Sequence, residues 1–95
     1  MLTEVIGKPA MLEQTAEECA ELAQACLKMA RYLRGENKVY KSEKELIENL
    51  IEEMADVNVC VHELFISDLV SSNDVRDMYD KKIDRMKERL SELNK

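Results

Sequence analysis

Apolar and polar positions along this chain recur at helical spacing in three blocks. The first runs from about Pro9 to Arg34, where Leu12, Ala16, Cys19, Ala23, Cys26, Ala30 and Leu33 follow in steps of four and three. That period puts them on one stripe of an α-helix, and its small members let a neighbouring helix approach closely. Pro9 suits an opening turn, where its missing N–H would have no intrahelical partner. Gly35 suits the end, because glycine enters the left-handed conformation of a C-cap without steric cost. A polar connection, GENKVYK, follows.

The second block opens with Ser42 and, three residues later, Glu45, the S-x-x-E pattern of a capping box. It predicts a helix from about Glu43 to Ser67 with Ile47, Leu50, Met54, Val57, Val61 and Leu64 as its stripe. Ile51, Ala55, Val59 and Ile66 widen the apolar surface beyond one stripe, which marks a helix that is central or buried against another subunit. SSND at 71–74 supplies a turn and an N-cap. A third helix then carries Val75, Tyr79, Ile83, Met86, Leu90 and Leu93 towards the C-terminus. The pattern predicts one all-α domain over residues 1–95, an antiparallel bundle of three main helices completed by oligomerisation.

Composition changes this picture little and sharpens it in places. With 45% hydrophobic and 36% charged residues, but only two glycines and one proline, the chain fits a folded helical protein and not a many-turned β fold. Ninety-five residues cannot cover three wide apolar faces, so a homodimer burying the second helix is expected. A net charge of −6 opposes nucleic-acid binding, which needs clustered cations against phosphate. The start, MLTEVIGKPAML, lacks a basic segment followed by an apolar run, and no stretch reaches the ~20 apolar residues of a membrane span. Cys19, Cys26 and Cys60 occupy apolar helical positions without a CxxC spacing, as expected of buried free thiols in a reducing cytoplasm. The six methionines fall mostly on the stripes and read as core filler. His62 has no ExxH spacing or histidine partner and reads as a surface or interfacial residue, while Asn58 fits a subunit interface or a substrate contact.

The acids carry the chemistry. At ~100° per residue, Gln14, Glu18 and Glu21 line up on the first helix, and Asn49, Glu53, Asp56 and Cys60 on the second. Glu18 and Glu21 form an ExxE, Glu53 and Asp56 an ExxD, each beside its helix's stripe. If those stripes pack antiparallel, four carboxylates converge at the margin of the interface. Such a group repels itself unless its pKa values rise or a cation neutralises it. Oxygen ligands without histidine or thiolate suit hard ions such as Mg²⁺ or Mn²⁺, and carboxylate clusters holding two such ions serve phosphoryl chemistry. Lys28, Arg31 and Arg34, with Lys81, Lys82 and Arg85, offer positive charge for a phosphate ester.

The segments EECAELAQA and ENLIEEMADVNVCVHEL resemble the MazG-like all-α nucleotide pyrophosphohydrolases, relatives of the dimeric all-α dUTPases. The resemblance covers about residues 10–66 and extends more weakly to KKIDRMKERL at 81–90. It implies hydrolysis of a nucleoside triphosphate between its α and β phosphates, giving a monophosphate and pyrophosphate. By matching motif positions, Glu18, Glu21, Glu53 and Asp56 would be the Mg²⁺ ligands. Glu17 or Glu52 would accept the proton of the attacking water. Gln14, Asn49, Lys28, Lys82 and Arg85 would contact the nucleotide. The family also implies a homodimer or a tetramer made of two dimers. The spacer between Glu21 and Glu53, residues 22–52, is long for the family, which bears on the shape of the connection; two departures bear on the base pocket, Arg85 in the corresponding basic stretch of the third helix and Cys60 where an aromatic is expected. A non-enzymatic helical oligomerisation or partner-binding module, or a nucleotide-binding relative without turnover, would carry the same acids as solubilising or binding groups.

Overall fold

The computed structural model describes residues 1–36 and 41–94, and four helices account for most of them. In chain order they are α1 (Leu2–Ile6), α2 (Lys8–Arg34), α3 (Glu43–Ile66) and α4 (Ser72–Leu93). The expected stops and starts are where the local chemistry puts them. Pro9 lies in the first turn of α2, and Gly35 ends it at φ 70°, donating its N–H to the carbonyls of Arg31 and Tyr32. The Ser42 hydroxyl accepts the Glu45 N–H at 3.2 Å, and Ser71 accepts the Asp74 N–H at 3.2 Å. Each satisfies a backbone donor that an uncapped helix would leave unpaired. Most of the GENKVYK connection, residues 37–40, lies outside the described residues. No helix among the described residues is long and apolar enough to cross a membrane.

The two long helices α2 and α3 make the main contact, and they run antiparallel. Thr3, just before α2, meets Glu63 late in α3, Thr15 meets Cys60, and Glu18 and Glu21 meet Glu53 and Asp56. The seam differs from the expected stripes. On α2 the residues turned inward are Met11, Thr15, Glu18, Leu22, Ala25 and Met29; on α3 they are Leu46, Leu50, Glu53, Val57, Cys60 and Leu64. Met11 and Leu46 are fully buried at 0% and 2% exposure. The predicted α2 stripe lies about a quarter-turn away, with Leu12, Ala16, Cys19, Ala23, Cys26 and Leu33 exposed. Both sets run in steps of three and four, and polar Thr15 and Glu18 made the real seam the less apolar of the two. Of the three thiols only Cys60 is buried; Cys19 and Cys26 lie on the uncovered side of α2.

The two ends of the chain behave differently. The short α1, which no apolar period marks, packs on α2 and α3. Glu63 fastens it: its two carboxylate oxygens accept the backbone N–H groups of Leu2 and Thr3 at 3.1 and 3.2 Å and the Thr3 hydroxyl at 2.7 Å. These charged hydrogen bonds satisfy N-terminal donors of α1 that no side chain within α1 caps. Beyond α3 the chain turns at Asp68, whose φ of 60° is in the left-handed region that aspartate tolerates better than most residues. α4 then departs from the pair and contains no buried residue. The radius of gyration, 17.2 Å, reflects this departure. A compact chain of this length would have about 12 Å. The helical class of the sequence reading holds, but within one chain α4 does not join α2 and α3 in a three-helix core.

Candidate metal centre

Helical spacing and one packing register together build the site. Glu18 and Glu21 stand one turn apart on α2, Glu53 and Asp56 one turn apart on α3, and antiparallel packing brings the pairs face to face. One carboxylate oxygen from each of the four lies within 4.8 Å of the others. Glu18 and Glu53 are half-buried in the seam itself and not at its margin, whereas Glu21 is exposed. The cluster therefore has an inner pair walled by the two helices and an outer side open to solvent.

Two atoms within it are out of balance. Oε2 of Glu18 and Oε2 of Glu53 are buried and have no hydrogen-bond partner. A buried acceptor left unpaired costs free energy, more so when it carries charge. The other Glu18 oxygen accepts from the Gln14 amide at 2.9 Å, which holds the side chain in place from one turn earlier. Burial pushes the Glu18 carboxyl above the usual carboxylate range, and the nearby charges of Glu21 and Asp56 push it further. Once protonated, Glu18 can donate a hydrogen bond to Glu21, which acts in the same direction, and Gln14 offsets part of it. Left to itself the site resists full ionisation; a cation would reverse that.

The donor set fits a hard divalent ion. All four converging groups are carboxylates, two from each helix, and two of their oxygens have no hydrogen-bond partner. The thiol of Cys60, one turn after Asp56 on α3, is buried; burial pushes it up and the Thr15 hydroxyl only partly offsets that shift. It stays a protonated packing group. The Thr15 hydroxyl itself donates to the Met11 carbonyl at 2.8 Å.

The remaining predicted site residues divide by helix. Gln14 and Asn49 are half-buried on the helices that carry the acids, Gln14 in direct contact with Glu18. Glu17 and Glu52 are exposed neighbours of the cluster in sequence, and Lys28 is exposed further along α2. Lys82 and Arg85 lie on α4 and, with Met86 and Arg89, line a shallow hollow separate from the acids. His62 and Asn58 are exposed on α3. Glu63, the buried acid that holds α1, is a site residue outside those predicted from the sequence. Its signal was present: it sits in the apolar run VCVHELF, seven residues after Asp56 and so on the same helical face.

Fold and site together define an all-helical chain with a paired-helix carboxylate centre. Beyond that class, no family model, curated protein or solved structure matches the chain.

Proposed function

We propose that this chain is a divalent-metal-dependent nucleoside triphosphate pyrophosphohydrolase, converting an NTP or dNTP to the monophosphate and pyrophosphate. The observation that carries this reading is the convergence of four carboxylates within 4.8 Å, two of whose oxygens are buried and unpartnered. The MazG-like resemblance of the ExxE and ExxD segments supplies the reaction class. Glu18, Glu21, Glu53 and Asp56 would hold Mg²⁺, or Mn²⁺ in its place. Bound there, such ions supply charge against phosphate oxygens and lower the pKa of an attacking water.

The chain's own residues do the rest. Gln14 holds Glu18 in its ligating orientation through the 2.9 Å amide bond. Glu17 or Glu52, both exposed beside the cluster, is the proton acceptor. Asn49 orients Glu53 or the nucleotide, and Lys28 meets phosphate. Lys82 and Arg85 are the further phosphate contacts; because α4 stands apart within one chain, they act from a second copy in a homodimer or a dimer of dimers. Three free thiols fit work in a reducing cytoplasm.

A panel of NTPs and dNTPs with Mg²⁺ or Mn²⁺, scored for monophosphate and pyrophosphate, tests the reading. Glu53→Gln should abolish product release on any substrate that the parent turns over. A second reading has an observation of its own. Exposed apolar faces on α3 and α4 favour a helical oligomerisation or partner-binding module, in which the acids have no turnover to support. A panel without pyrophosphate release, together with stability indifferent to Mg²⁺, selects the module; nucleotide binding without release selects a relative that has lost turnover.

A further inference from the structure

α2 and α3 repeat one another. Their N-caps, Gly7 and Ser42, are 35 residues apart, and the same offset carries every seam residue of α2 onto a seam residue of α3. The fully buried Met11 and Leu46, at 0% and 2% exposure, form one such pair, and Ala25 and Cys60, at 3% and 5%, form another. MLEQTAEECAEL at 11–22 matches LIENLIEEMADV at 46–57, with four of twelve positions identical and five exchanged for a similar residue. Helical period alone would align apolar positions at any multiple of seven. It would not set an amide, two adjacent glutamates and a third acid in one order on both helices. Yet Gln14, Glu17, Glu18 and Glu21 match Asn49, Glu52, Glu53 and Asp56 in turn.

Antiparallel packing turns this repeat into a local two-fold axis. Thr15 meets Cys60, whose counterpart on α2 is Ala25. The axis therefore crosses α2 midway between 15 and 25, at the level of Ala20, and α3 at the level of Ala55. On each helix that level lies between the two acids of the centre, so the axis runs through the converging carboxylates. The buried, unpartnered atoms obey it, for Oε2 of Glu18 and Oε2 of Glu53 are counterparts. One contact breaks it. Gln14 donates to Glu18 at 2.9 Å, while Asn49, shorter by a methylene, makes no side-chain hydrogen bond among the described residues.

Symmetry and span together limit what the centre can hold. One oxygen from each of the four acids lies within 4.8 Å of the other three. Oxygens opposite one another across a single ion are about 4.2 Å apart for Mg²⁺ and about 5 Å for Ca²⁺, twice the bond length. Two ions ~3.5–4 Å apart would spread the same four oxygens further. We infer that α2 and α3 are two copies of one metal-binding helix, and that without nucleotide their half-sites share a single hard divalent ion on equal terms. The inference rests on the metal-centre reading above and adds to it the stoichiometry and the equivalence of the halves.

Titration of the full, metal-free chain with Mn²⁺, the free ion read by electron paramagnetic resonance, gives both the count and the affinity. The parent should bind one Mn²⁺ per 11.0 kDa chain. Glu18→Gln and Glu53→Gln should each weaken binding at least about tenfold, since even the loss of an outer-shell partner costs that much. The two factors should agree within about threefold. Exchanging the unlike acids across the axis, E21D/D56E, should leave the affinity within about threefold of the parent's, with far-UV helical content unchanged. Two tightly bound ions per parent chain overturn the inference and leave a metal centre in place. So do inner-acid variants that differ by more than that margin, or an exchange variant that keeps its helices and loses the ion. A parent that binds no Mn²⁺ overturns the metal centre itself, and the inference with it.

Discussion

Replacing Glu53 by glutamine should change stability in opposite directions with and without divalent metal. Without metal, the parent keeps a carboxylate whose Oε2 is buried and unpartnered among three other acids. Glutamine keeps the shape, removes one of the like charges and offers an amide donor to its neighbours. An unsatisfied buried acceptor costs about 1–3 kcal/mol, and partial exposure of Glu53 argues for the lower end. A gain of about 1 kcal/mol would raise Tm by about 4–8 °C in a domain of this size. With Mg²⁺ the order reverses. At ten times its dissociation constant, an ion that binds only the folded parent contributes about 1.4 kcal/mol, or about 6–11 °C. The variant, with three carboxylates at the centre, should gain little of this. The assay is thermal unfolding followed by circular dichroism, with MgCl₂ compared against NaCl of equal ionic strength so that screening is not counted as binding. Equal Mg²⁺ shifts in parent and variant would refute the metal centre. A metal-free variant less stable than the parent would refute the claim that the buried oxygens are unsatisfied.

The pH profile of the metal-free protein should fall on both sides of a mildly acidic maximum. Because the folded-state pKa of Glu18 lies above its ordinary value of 4.5, the folded state holds the proton more tightly, and stability declines as pH rises from 4.5 through the raised value. Saturating Mg²⁺ or Glu18→Gln should flatten that limb in a series of Tm measurements. The Glu63 pKa is lowered, chiefly by the Thr3 hydroxyl bond, so its contribution is present above 4.5 and is lost as pH falls through the lowered value. Glu63→Gln should flatten the acidic limb and speed hydrogen exchange at the Leu2 and Thr3 amides; unchanged exchange there would contradict the anchoring role. Met11, fully buried between α2 and its neighbours, should cost about 2–5 kcal/mol on truncation to alanine, read from the urea midpoint at constant slope.

Much of the helical skeleton was legible from local chemistry. Ser42, Ser71 and Gly35 set helix ends through hydrogen bonds and a backbone conformation confined to a few residues, so no distant partner was needed to place them. The four acids of the centre were legible for a related reason: i, i+3 spacing fixes which side chains share a face before any packing occurs. Which face packs was not. α2 carries a small-residue stripe and, a quarter-turn away, a mixed one of Met11, Thr15, Glu18, Leu22, Ala25 and Met29. Helical period cannot choose between two faces of equal period, and α3 selected the second. That choice put Glu18 and Glu53 inside the seam, left their oxygens unpaired, and exposed Cys19 and Cys26. The bond from Glu63 to Thr3 spans sixty residues, a pairing that only the folded register creates. Tertiary structure likewise decided that α4 leaves the pair, because a wide apolar stripe says that a helix needs a partner and not which chain supplies it.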